Sequence, residues 1–232
     1  MHLSGGASGE NIVYKFSDPP DCPVEDFMEF HLTYNGELLK ACTNGNRRVW
    51  EKHQIRREIH KQLVTLWGTH PLLKFYSQDH HVEGPSHGMY FVAHALTSPE
   101  QIAKRHEGYV PLVSEEFGTF CDLNILFLRA EPVGQIIKRN AGGGDIDNRL
   151  KTLLDALCIP QRGAVPEPRQ QDDPDPSPMF VLLSDDSLVT SLNVRADRLL
   201  TTSTDDPAEA CVVIQVNVKV VDSLRAPYGI AL

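Results

Sequence analysis

Several common signals are missing from this chain. No apolar run is long enough to cross a bilayer, and Met1-His2-Leu3-Ser4-Gly5-Gly6 lacks a basic stretch followed by an apolar one. Neither a membrane span nor a secretory leader is expected, so the chain reads as cytoplasmic. The five cysteines, Cys22, Cys42, Cys121, Cys158 and Cys211, are scattered without any C-x-x-C. That argues against a zinc ribbon and a disulfide framework and leaves reduced thiols packed as small hydrophobes. The glycine run Gly142, Gly143, Gly144 fits neither G-x-x-x-x-G-K-[ST] nor G-x-G-x-x-G, so a phosphate-cradling loop is not indicated. No internal repeat is visible. Positive charge is also scarce, with 22 Lys and Arg against 31 Asp and Glu and a net charge of -9, which argues against nucleic-acid binding by the surface as a whole.

What remains is a chain of 232 residues with 41% hydrophobic content, enough for one domain with a sizeable core. Its basic residues are concentrated. Arg47, Arg48, Lys52, Arg56, Arg57 and Lys61 stand against only Glu51 and Glu58. They lie on a helical pattern running to about Trp67, whose buried face is marked by Ile55, Ile59, Leu63 and Leu66. Arg48, Lys52 and Arg56 form a row at spacing four. This row reads either as a solvated face balanced by its glutamates or as a surface that contacts phosphates.

Residues 1–26, rich in Gly, Ser, Pro and Asp, read as a loose arm. Met28, Phe30, Leu32 and Tyr34 alternate as a strand, and Asn35-Gly36 signals a hairpin into Glu37 and beyond. Met89 to Leu96 reads as a short strand. Ser98-Pro99-Glu100-Gln101 is a capping-box start for a helix reaching about His106. His80, His81 and His87 lack ligand spacing and read as surface residues. Phe120 to Leu128, Val189 to Leu199 and Ala210 to Val221 read as strands, the last with the clearest period of two and as a natural partner for the strand before it.

The chemistry is concentrated in residues 144–157. Asp145 and Asp147 sit two apart behind the glycines, with Asn148, Lys151 and Asp155 following. A helix beginning near Asp147 puts Lys151 one turn along on the same side and Asp155 one turn further, while Leu150, Leu153, Leu154 and Leu157 form the core stripe. Two close carboxylates are a hard oxygen pair suited to Mg2+ or Mn2+, and such a site normally needs a third. Downstream, an apolar run ends in Asp185-Asp186, which a loop between a helix and a strand would bring back to the first pair. Taken alone, D-x-D is weak evidence.

Asp145-Ile146-Asp147-Asn148, then Lys151, Asp155-Ala156-Leu157 and Asp185-Asp186 before a hydrophobic strand together resemble the RusA-type Holliday junction resolvases, Mg2+-dependent endonucleases. The resemblance implies that Asp145, Asp147 and Asp186 are metal ligands and that Lys151 is a catalytic cation. Asp185 is a further metal candidate, with Asn148 as an outer-shell group. It also implies a RusA-like α+β fold, a mixed sheet of about four or five strands with helices packed on one face. The implied cofactor is Mg2+, with Mn2+ able to substitute, and the implied partners are branched DNA and a second copy in a homodimer. Arg48, Lys52, Arg56, Lys138 and Arg139 are the candidate nucleic-acid contacts.

Three departures bear on the substrate. Glycines replace the family's basic residues directly before the first aspartate, with Lys138 and Arg139 further upstream. Residues 68–118 and 159–180 read as insertions in a single domain spanning 27–232. The second of these, Pro- and Asp-rich, reads either as a segment without a role or as an acidic shield whose Asp172, Asp173 and Asp175 repel phosphate or occupy the basic surface. A nuclease of the same fold acting on other branched DNA or RNA, and a noncatalytic nucleic-acid-binding or regulatory protein, remain open alternatives.

Overall fold

The computed structural model describes residues 27–38, 45–71, 73, 98–129, 146–161, 164–166, 174–200 and 209–220. In chain order these form β1 (Phe27–Glu37), α1 (Gly45–Thr69), α2 (Pro99–Arg105), β2 (Tyr109–Val113), β3 (Thr119–Arg129), α3 (Ile146–Leu157), β4 (Met179–Leu183), β5 (Val189–Arg198) and β6 (Glu209–Val220). Short 3-10 turns at Glu115–Phe117 and Asp186–Leu188 precede β3 and β5. The N-terminal arm and the strand expected at Met89 to Leu96 lie outside the described residues.

The fold is α+β. Its main sheet has four strands in the order β1-β6-β3-β5. β6 is antiparallel to both β1 and β3, and β5 is parallel to β3. The alternation along β6 explains its central place. Val212, Ile214, Val216 and Val218 are buried on one face, with Ile214 opposite Leu32 on one side and Ile125 on the other. β5 was expected beside β6. It lies beyond β3 instead, because β6 already spends both of its hydrogen-bonding edges on β1 and β3.

The hairpin expected at Asn35-Gly36 does not form. β1 runs straight through, with Asn35 opposite Cys211 and Gly36 opposite Ala210. Gly36 serves close packing rather than a turn. A Cβ there would stand 2.6 Å from Tyr34 Oη and 2.9 Å from its Cζ, and this Tyr34 hydroxyl donates to Glu37 O at 3.1 Å. The tyrosine ring lies along the strand over the space that glycine leaves.

A second, two-stranded parallel sheet pairs β2 with β4. All five residues of β4 are buried, as expected for a short, continuously apolar strand covered on both faces. The far side of β4 takes a bridge from Cys158, and Ile159 N donates to Leu183 O at 3.0 Å. The latter part of the segment read as an insertion at 68–118 is therefore core, contributing Ile102, Val110, Val113 and Phe117. α2 starts at Pro99 as expected, but the Ser98 side chain makes no capping bond; its backbone carbonyl takes the Gln101 and Ile102 N–H groups.

The sheet surface turned away from the core is polar. Asn193 donates to Asn124, Asn124 to Gln215, and Gln215 diagonally to Glu29, linking all four strands. Beside it Asp122 accepts from Thr190 and from Lys219.

Gly36→Ala is expected to destabilise the fold by about 1–3 kcal/mol through overpacking, measured by urea unfolding. Combining it with Tyr34→Ala should give less than the sum of the two single effects.

Candidate metal and nucleic-acid site

α3 begins at Ile146, which puts Asp147 in its first turn, where the helix dipole favours a negative charge. Asp147 and Lys151 are both exposed and make no hydrogen bond or ion pair among the described residues. Leu153 and Leu157 are fully buried beneath them, with Leu150 and Leu154 packed at the edge of the core. Asn148 contributes its carbonyl to Thr152 Oγ1 at 3.1 Å. Asp145, Lys138 and Arg139 lie outside the described residues.

The second acidic pair follows β4. Asp185 caps the 3-10 turn, its Oδ1 accepting from Ser187 N at 2.9 Å, and hydrogen bonds from Ser187 hold its carboxyl below the ordinary 3.8. Asp186 is exposed and has no partner among the described residues. The pair stands beside the C-terminal end of α3: burial, followed by the charges of Asp186, Asp185 and Asp155, pushes the Cys158 thiol up to about 12. Asp147 sits in the first turn of that helix, about 16 Å from Cys158 along its axis at ~1.5 Å per residue. Among the described residues, no three His, Cys, Asp or Glu side chains gather as a metal-holding group. Asp147, Asp185 and Asp186 are hard oxygen donors of the right chemistry for Mg2+, and the expected set of Asp145, Asp147 and Asp186 includes a residue outside the described ones.

The basic row on α1 has a different destination from the one its spacing suggested. Arg56 is 1% exposed. Its Nη2 donates to Asp155 O at 3.1 Å and its Nε to Cys158 O at 3.4 Å, so it satisfies the open carbonyls at the C-terminal end of α3 and complements its dipole. Lys52 reaches Asp155 Oδ2 at 2.5 Å, so the carboxylate one turn after Lys151 is paired with α1. Of the three, only Arg48 makes no hydrogen bond to α3 among the described residues. Arg56 is therefore a structural residue and not a phosphate contact.

Two histidines on the same helix escaped sequence reasoning. His53 is fully buried, with Nε2 2.8 Å from Asp175 Oδ1. Burial, with smaller contributions from Arg56 and Arg57, lowers its pKa below 6.5 against the opposing effect of Asp175. His60 Nδ1 accepts the Phe180 N–H at 2.9 Å. The signal was present: 53, 56, 60, 63 and 67 form one helical stripe, and Leu63 and Trp67 on it are buried. Among the described residues Asp175 is the acid of the Pro- and Asp-rich segment that is placed against α1; Asp172 and Asp173 lie outside them.

No protein-family model, curated protein or solved structure matches the chain. No helix is long and apolar enough to cross a membrane among the described residues.

Arg56→Met is expected to cost about 1–3 kcal/mol by leaving two buried carbonyls without donors, read from urea midpoints. Folded His53 takes up a proton less readily than free imidazole, as do His60 and His70. The unfolded chain therefore binds more protons below pH 6.5, so stability present above that value should fall as the solution is acidified. His53→Gln, whose amide still reaches Asp175, should flatten the fall in the same titration.

Proposed function

We propose that the chain is a divalent-metal-dependent endonuclease that hydrolyses phosphodiester bonds in branched DNA, a diverged RusA-type enzyme acting in the cytoplasm as a homodimer. One observation carries this reading. Charged side chains around the motif are paired, Lys52 with Asp155 and His53 with Asp175. Asp147, Lys151 and Asp186 stand in solvent with no partner among the described residues. Charges that serve the fold acquire partners, whereas these three are available to a ligand.

Asp145, Asp147 and Asp186 would hold the ion, and when bound it would polarise the scissile phosphate and lower the pKa of an attacking water. Lys151, one turn after Asp147, offsets charge building on the phosphate. Asp185, committed to its cap, orients the turn that carries Asp186. Arg48 remains a candidate for the DNA backbone, together with Lys138 and Arg139.

A second reading, a noncatalytic nucleic-acid-binding or regulatory protein, fits the lack of a three-acid group among the described residues. Mn2+ titration by calorimetry distinguishes the two. The nuclease reading expects binding that Asp147→Asn and Asp186→Asn each abolish. Binding that ignores Asp186→Asn would remove the three-acid site. Lys151→Ala should lower cleavage of a four-way junction by roughly 10²-fold or more while metal binding stays intact. A panel of junctions, flaps, duplexes and RNA reads out the substrate, and equal cutting of linear duplex would end the junction assignment.

A further inference from the structure

β5 forms the outer edge of the four-stranded sheet, and among the described residues no strand pairs with its free side. The direction of its backbone groups is known. Leu199 N donates to Arg129 O at 2.7 Å, so the odd-numbered residues of β5 turn their N–H and C=O groups toward β3. The even-numbered residues, Leu192, Val194, Ala196 and Arg198, turn theirs outward. A run this long with an open edge is a ready template for another strand.

The side chains on this edge match one particular partner, the same segment running in the opposite direction. About a two-fold axis at Ala196, Arg195 of one copy faces Asp197 of the other, twice over. Leu200 stands in a bend two residues past the end of β5, and the same axis carries it toward Leu192 of the other copy. Only three large apolar side chains are exposed among the described residues, and these are two of them: Leu192 at 40% and Leu200 at 86%. The charge pattern is thus self-complementary about Ala196, and the two exposed leucines lie toward the two ends of the same edge. Ala196, small and outward-turned, is the central hydrogen-bonded pair. Leu192 lies on the core side of the sheet in register with Leu123, so its mate would extend the existing core across the axis.

We propose that this edge is a self-association surface on which two copies of the chain pair antiparallel through β5, centred on Ala196, to make a continuous eight-stranded sheet. The geometry is that of an isologous two-fold contact. In the single chain, Asp197 Oδ1 accepts from Arg198 N at 2.7 Å, covering one outward N–H. On pairing, that N–H would pass to Val194 O of the other copy and the carboxylate would turn to Arg195. This surface gives the proposed homodimer, on which the inference rests, an interface, and none of its residues belongs to the acidic motif.

Sedimentation velocity of the full chain over a concentration series tests this with Arg195→Asp, Asp197→Arg and the double variant. The wild type should dimerise. Each single reversal should raise the dimer dissociation constant by roughly tenfold or more, because symmetry turns two opposite-charge cross-strand pairs into two like-charge pairs. The double variant, which swaps the charges, should recover the wild-type value, and Leu200→Glu should weaken the dimer. All substituted positions are exposed, so the fold is retained and circular dichroism checks it. A chain that stays monomeric at every concentration overturns the proposal. So does a dimer indifferent to the single reversals, or a double variant as weak as either single.

Discussion

A guanidinium that never meets water ties the two long helices of this protein together. Arg56 enters the interior from α1 and donates to the Asp155 and Cys158 carbonyls, groups that the end of α3 leaves open. Burying that charge is tolerable only because it meets the negative end of a helix dipole and nearby acids. The contact fixes where α3 stops, and from that stop Cys158 and Ile159 reach the far edge of β4. Asp185 and Asp186 follow two and three residues beyond Leu183. The position of the acidic pair is therefore inherited, through two short steps, from a buried arginine on another helix.

The polar stripe of α1 extends the same design. Lys52, His53, Arg56 and His60 meet, in turn, a side-chain carboxylate, another carboxylate, two backbone carbonyls and a backbone N–H. A helix that would otherwise bury Leu or Ile along this line instead uses directional bonds, which fix register and orientation more sharply than apolar contact does. The apolar stripe of Ile55, Ile59 and Leu63 supplies the non-directional part of the packing.

Much of this was legible from residue order. α1, α2, α3, β3, β5 and β6 follow from periodicity and caps because each has a strong local signal. What local signals cannot specify is pairing. Val212 to Val218 announced a strand but not that both of its edges would be taken, which is what moved β5 outward. Asn35-Gly36 looked like a turn because glycine's usual reason is a turn; here the reason is the ring of Tyr34 two residues earlier. The candidate site was legible as chemistry and not as geometry. Asp147, Lys151 and Asp186 are placed on accessible surfaces, while the distance between Asp147 and Asp186 depends on how α3 and the turn after β4 are held, and nothing in the order of residues encodes that. The fate of Arg56 was misread for a related reason. A charged residue at spacing four looks solvent-facing until the stripe containing Leu63 and Trp67 is followed back toward the start of the helix.

The amide network that links all four strands, from Asn193 through Asn124 and Gln215 to Glu29, limits what this sheet can become. Its side-chain donors and acceptors already satisfy one another, and shedding the water around them would gain little. Two such surfaces laid face to face would dehydrate many polar atoms and cover few carbon ones. The molecule is thus built to resist being stacked like cards, and any growth of the sheet is left to its rim.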